Sequence, residues 1–197
     1  MKNTNFEKQL IEMIVSYYQP FNQEQLTNGL KKFEKISLLA GDHLIKTGEI
    51  ADKIFITEKS ITRNYTIDEN NEEKIIWIES EMRFLADFES FKTEQPTQYN
   101  IQVYEDTDVY YITKTNLLEL YHKYHDWALF GINILEEYLL HTFVINNKFL
   151  NYDATEKYNY IETYFPRFLK IVPLKHISSR LNISQVTVSR IRAEKNK

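Results

Sequence analysis

The residues best placed to do chemistry lie near the end of the chain, in Ser184-Gln185-Val186-Thr187-Val188-Ser189-Arg190-Ile191-Arg192. Gln185, Ser189, Arg190 and Arg192 point outward on a helix whose other side carries Val188 and Ile191. Amide and guanidinium groups on one helical face suit nucleic acid: Gln can pair with adenine, and Arg with guanine, through two hydrogen bonds each. Just before them comes His176-Ile177-Ser178-Ser179-Arg180-Leu181-Asn182-Ile183. Ile177, Leu181, Ile183, Val188 and Ile191 have the spacing of two short helices packed across a turn. Asn182 stands where the backbone turns, and Asn tolerates the left-handed conformation better than most residues. Ser184 is a natural N-cap. This is the layout of a helix-turn-helix, whose second helix enters the DNA major groove. The plainer alternative is a helical hairpin with a polar face.

Charge favours the first reading. From Phe165 to Lys197 eight basic residues (Arg167, Lys170, Lys175, Arg180, Arg190, Arg192, Lys195 and Lys197) face one acid, Glu194. The segment carries +7, so a chain of net charge −4 carries −11 elsewhere. A basic segment on an acidic body fits a polyanion-binding module joined to a regulatory one. The lack of cysteine excludes disulfides, cysteine zinc sites, thiol catalysis and iron–sulfur clusters, and suits a reducing cytoplasm. Glu7, Lys8 and Glu12 interrupt any apolar run near the start, so no signal peptide is expected. No stretch reaches the ~18 apolar residues of a membrane helix, so none is expected either.

The elements that must position the helix pair follow from periodicity. Phe6, Leu10, Ile11, Met13, Ile14 and Tyr17 predict an amphipathic helix over 3–18, and a second short helix runs over 22–32. Strand-like runs then cover 33–39, 43–46, 53–57, 60–66, 73–78, 99–103 and 108–112, separated by turn residues. Many short strands at regular spacing predict an antiparallel roll or barrel. Phe84 to Phe91 reads as a short helical turn. After Thr115 the period is helical again, with a long helix over about 127–149. Its stripe of Phe130, Ile134, Leu135, Tyr138, Thr142, Ile145 and Phe149 is expected to pair with a second copy, packing on the roll being the alternative. Asp153-Ala154-Thr155-Glu156 fits a capping box and opens the last unit. The expected fold is α+β: an N-terminal pair of helices with a β-roll over 1–113, a linker and dimerisation helix over 114–152, and a helix-turn-helix unit over 153–197.

This order of elements resembles the Crp/Fnr family of transcription regulators, across nearly the whole chain. Gly41-Asp42-His43-Leu44-Ile45-Lys46-Thr47-Gly48-Glu49 is similar to the family's turn-strand-turn, and Ala86-Asp87-Phe88-Glu89-Ser90-Phe91 to its ligand-cassette turn. Asn100 to Val109 resembles the strands that close the roll. Asp153 to Tyr158, Pro166 and Ile177 to Arg192 look like the terminal unit of a variant subgroup. The resemblance implies a cytoplasmic homodimer on double-stranded DNA, with RNA polymerase as a candidate further partner. It gives base reading to Gln185, Val186 and Arg190, and phosphate contacts to Ser184, Thr187, Ser189, Arg192 and Lys195.

The departures bear on mechanism. Members that bind cyclic AMP carry Gly-Glu-Leu in the cassette and Arg-Ser further on, where this chain has Ala86-Asp87-Phe88 and Thr97-Gln98. A cyclic phosphate without its guanidinium loses a charge-assisted contact, and Asp87 and Glu89 would repel an anion. Cyclic AMP is therefore not expected in the usual way, and no cofactor or effector is identified. Asp87, Phe88, Thr97 and Gln98 remain the candidate effector pocket, with Asp87 either anchoring the hydroxyl of another ligand or lying solvated on a turn. The family's C-terminal β-hairpin wing has no counterpart here, so Lys195 and Lys197 are expected to replace some of its backbone contacts. The altered cassette and the missing wing support the alternative of an effector-binding or interaction module that no longer binds DNA.

An enzyme is not expected. A cupin-like metal site in a roll needs clustered histidines, and of His43, His122, His125, His141 and His176 only His43 lies in the roll. No G-x-S-x-G elbow or phosphate-binding glycine loop is present.

Overall fold

The computed structural model describes residues 5–195, so Lys197 lies outside the described residues. The chain opens with α1 (Asn5–Tyr17) and α2 (Gln23–Leu30), continues through β1 (Glu34–Leu38), β2 (His43–Ile45), β3 (Lys53–Thr57), β4 (Thr62–Ile67), β5 (Glu73–Glu79) and β6 (Phe84–Leu85), and turns into α3 (Phe88–Thr93). Then come β7 (Asn100–Val103), β8 (Thr107–Thr113), α4 (Lys114–Lys123), α5 (His125–Asn151), α6 (Ala154–Tyr164), α7 (Phe168–Ile171), α8 (Leu174–Leu181) and α9 (Gln185–Lys195). The strands form two four-stranded antiparallel sheets, ordered β1-β8-β3-β6 and β2-β7-β4-β5. The short β6, where a helical turn was expected from Phe84, pairs Leu85 with Phe55. Two residues are too few to show a strand period.

Alternation decides what each sheet covers. Phe55, Val109, Ile45 and Ile101 turn into the space between the sheets. Ile56 and Ile112 turn the other way and are roofed by Phe6, Leu10 and Ile14 of α1 and by Trp127 and Phe130 of α5. On the second sheet, Ile61, Tyr65, Ile75 and Ile78 face outward and would be exposed if nothing covered them. The terminal helices cover them, with Tyr158, Ile161, Phe168, Ile177, Leu181, Val188 and Ile191 in the same core. Those helices therefore pack directly on the roll.

Two expectations about α5 change. By length and composition this 27-residue helix is apolar enough to cross a membrane, although no single apolar run marks it in the sequence. One side of it packs within the protein, where Trp127, Phe130, Gly131 and Ile145 are buried. The stripe expected to meet a partner is largely this inward side: Phe130 and Ile145 are 2% and 3% exposed, and Ile134 and Phe149 pack against cores of their own chain. Of that stripe only Leu135 and Tyr138 are well exposed. The opposite face carries Ile132, Leu135, Leu139, Phe143 and Leu150 at three-, four- and seven-residue intervals, each 50–82% exposed. The helix has two apolar faces, and the roll covers the one that the sequence assigned to a partner.

Candidate functional site

The α8–α9 pair is built as its sequence requires. Asn182 ends α8 in the left-handed conformation, φ 54° and ψ 47°, and its N–H donates to the Ser178 and Ser179 carbonyls. Ser184 Oγ accepts from the Thr187 N–H at 3.0 Å and satisfies one of the free donors at the start of α9. Val188 and Ile191 are buried beneath. Gln185, Val186, Ser189 and Arg190 are exposed together on the far side. A non-polar side chain such as Val186 standing 59% exposed between two hydrogen-bonding ones is a surface suited to a groove with methyl groups and base edges.

Other basic residues of this segment are already engaged. Lys195 forms an ion pair with Glu162 and lies 5.5 Å from the Tyr158 ring centroid. Arg192 reaches the Leu169 carbonyl at 3.5 Å. Arg167 bridges Glu81 at 2.7 Å and Glu105 at 2.6 Å, both on the roll side. Arg180 lies between Trp77 and Phe149, and burial brings its pKa down to about 10. Counting charge along the sequence overstates what this face offers to DNA, because pairing and stacking inside the fold cannot be read from a count.

A second cluster escaped the sequence reading. Arg63 of β4 grips Glu73 of β5 through both guanidinium nitrogens, 2.9 Å on one arm. His176 of α8 joins them: Nε2 is 3.0 Å from Arg63 and 3.3 Å from Glu73, and Nδ1 is 2.9 Å from the Tyr104 hydroxyl. Burial, then Arg63, hold the imidazole below its usual range, while Arg63 holds Glu73 below the usual carboxylate range. Burial pushes the Tyr104 phenol up. The signal available in the sequence was Arg63 sharing a strand face with Ile61 and Tyr65, a charge on an apolar face that something must cover.

The cassette region closes on itself. Gly41 and Gly48 take φ of +91° and +89°, which favours glycine. The acid after each accepts a backbone N–H three residues earlier, Asp42 from Leu39 at 2.8 Å and Glu49 from Lys46 at 3.1 Å. Asp87, 6% exposed, caps α3 through the N–H groups of Glu89 and Ser90, and its other oxygen accepts from the Thr97 hydroxyl. Thr97 is itself pinned to the Gly48-Glu49 turn by two backbone bonds of 2.9 and 2.8 Å. Asp87 is thus not solvated, and both of its oxygens are engaged within the chain. The Phe88 ring meets that of Tyr138 at 4.8 Å between centroids, tilted by 54°, and Gln98 is exposed. The cavity beside Thr62, Asn64, Trp77, Ala86 and Ile101 measures about 50 Å³. Ligand sites usually span roughly 300–1,000 Å³.

Residues 35–124 match the sequence profile of the cyclic nucleotide-binding domain. The matched span covers the roll together with α3 and α4, and the helices on either side lie beyond it. No curated protein matches the chain by sequence. Among solved structures, FixK2 of Bradyrhizobium japonicum superposes with a TM-score of 0.68 at 14% identity, over 82% of this chain and 83% of that one. The c-di-GMP responsive global regulator CLP of Xanthomonas campestris gives 0.63 at 11% identity, over 89% and 92%. DNR of Pseudomonas aeruginosa gives 0.58 at 17% identity, over 98% and 88%. These neighbours are Crp/Fnr-type regulators, and at such identities the likeness is one of fold.

Proposed function

We propose that this chain is a DNA-binding transcription regulator of the Crp/Fnr type, acting in the cytoplasm as a homodimer. The observation that carries the reading is the exposed face of α9, where Gln185, Val186, Ser189 and Arg190 lie open while the helix's other side is fixed by Val188 and Ile191. Gln185, Val186 and Arg190 read bases, and Ser184, Thr187 and Ser189 fix the register on phosphates. Arg192 and Lys195 join them only by exchanging their internal partners for phosphate. The apolar outer face of α5 supplies the two-fold contact, so that the two α9 helices enter successive major grooves about 34 Å apart. The roll does not take cyclic AMP in the usual way, since Asp87 and Thr97 satisfy each other and the cavity beside them is small.

The test is retention of sheared genomic DNA by the purified chain, followed by sequencing. Enrichment of an inverted repeat is the expected result. Arg190→Ala then lowers affinity for that repeat by about 1–3 kcal/mol, with a smaller loss on random DNA. Equal losses on both would reassign Arg190 to the phosphates.

A second reading has its own support. Arg180, Arg192 and Lys195 are all turned to internal partners. A protein using the roll for effector or partner binding alone would show sequence-blind, salt-sensitive DNA retention in the same experiment.

A further inference from the structure

A large cavity lies outside the roll, between the outer face of the first sheet and helices α3, α4 and α5. It measures about 620 Å³, well within the range of ligand sites. Rings of Phe33, Phe84, Phe88, Phe91, Tyr121 and Phe130 wall it, with aliphatic side chains of α4 and α5 between them. No carboxylate is among its lining residues, although acids outnumber bases in the chain by 28 to 24. Its two charged lining groups are both cations at one end, Lys92 and Lys114. Lys114 Nζ lies 3.5 Å from the Lys92 carbonyl, 2.8 Å from Glu94 and 5.6 Å from the Phe91 ring centroid. Glu94, 69% exposed on its side chain, balances one ammonium and leaves the other for an incoming anion. The Tyr121 hydroxyl, brought up to about 12 by burial, makes no hydrogen bond among the described residues and stays protonated as a donor on the wall.

We propose that this cleft binds an apolar monocarboxylate of fatty-acid type, chain inside and carboxylate at Lys92 and Lys114. Burial of the chain supplies affinity, and the lysines supply preference for the acid over a neutral head group. The site stands whether or not α9 binds DNA. Its lining includes Leu135 and Leu139, which belong to the exposed face of α5, so occupancy is felt where a second subunit would sit.

The full-length chain is loaded with the neutral lipophilic dye N-phenylnaphthylamine, and its fluorescence is followed as dodecanoate or dodecanol displaces it. One dye per subunit is expected, with dodecanoate displacing it at a concentration about tenfold lower than dodecanol, the effect of one charge-assisted hydrogen bond. Combining Lys92→Gln with Lys114→Gln abolishes that preference while dye and alcohol bind as before. Leu118→Trp, a substitution at a residue 42% exposed on the rim, weakens dye, acid and alcohol together without lowering the melting temperature. Equal displacement by acid and alcohol, or an acid preference that survives the double substitution, overturns the carboxylate assignment. Absence of saturable dye binding, or binding that appears only when Phe143→Asp, on the outer face of α5 but outside the cleft, separates the subunits, overturns the site and gives the cleft to the partner's helix.

Discussion

The guanidinium of Arg180 lies 4.4 Å from the centroid of the Trp77 ring. One residue is on α8 and the other on β5, so this stack joins the helix pair to the roll. Phe149 closes it from α5 at 5.1 Å. A cation held between two aromatic faces and withdrawn from water is stabilised by the ring quadrupoles and by packing of its stem.

Arg180→Ala should accordingly cost about 1–2 kcal/mol, more than an exposed arginine would. Denaturant unfolding followed by Trp77 emission checks this. A cost within experimental error would mean that the stack is incidental to the docking.

Acid should loosen the same junction. The folded state holds His176 below its ordinary value of 6.5, so the unfolded chain binds the proton more readily. Stability is complete above 6.5 and falls as pH drops from there to the lowered folded value. Glu73, held below 4.5 by Arg63, adds a second loss at lower pH, as it becomes protonated. His43, lowered by burial beside Tyr65, acts in the same direction as His176. Between about pH 7.5 and pH 5 the melting temperature should drop by about 2–4 °C for each kcal/mol lost. His176→Gln should remove part of that slope and leave the part due to His43.

Gly29 is a packing requirement. A Cβ there would lie 2.0 Å from Trp127, whose indole N–H donates to the Gln25 carbonyl at 2.8 Å and fixes the ring. In an open helix Gly→Ala gains about 1 kcal/mol. Here Gly29→Ala should instead cost about 1–3 kcal/mol through overpacking, as measured by urea unfolding.

In the proposed dimer, the two faces of α5 would separate association from folding. Leu139→Asp places a charge on the outer face and should shift the chain from dimer to monomer in sedimentation velocity, with little loss of monomer stability. Phe130→Ala should remove about 3–5 kcal/mol of folding stability by opening a cavity beside Trp127 and Phe84, wherever the subunits meet. If Leu139→Asp left the mass unchanged, the outer face would not be the dimer contact.

Local structure was legible from residue type and spacing. Asn182 in the left-handed region, the reciprocal Asp153–Glu156 capping box, the turns at Gly41 and Gly48 and the alternation of the roll's strands all follow from interactions spanning a few residues. The order of elements, and with it the regulator-like fold, was legible for the same reason. Tertiary structure alone decided which strands share a sheet, since β3 and β4 are adjacent in the chain and lie in different sheets. It also chose the inward face of α5, because a helix apolar on both sides gives period no means of choosing. The fate of charge was decided there too. Arg180, Arg167 and Lys195 count toward a basic tail, yet each finds a ring or carboxylate brought near from 33 to 103 residues away, and Asp87 meets Thr97 across a loop. Pairing and desolvation depend on distance in space, which residue type and spacing do not contain.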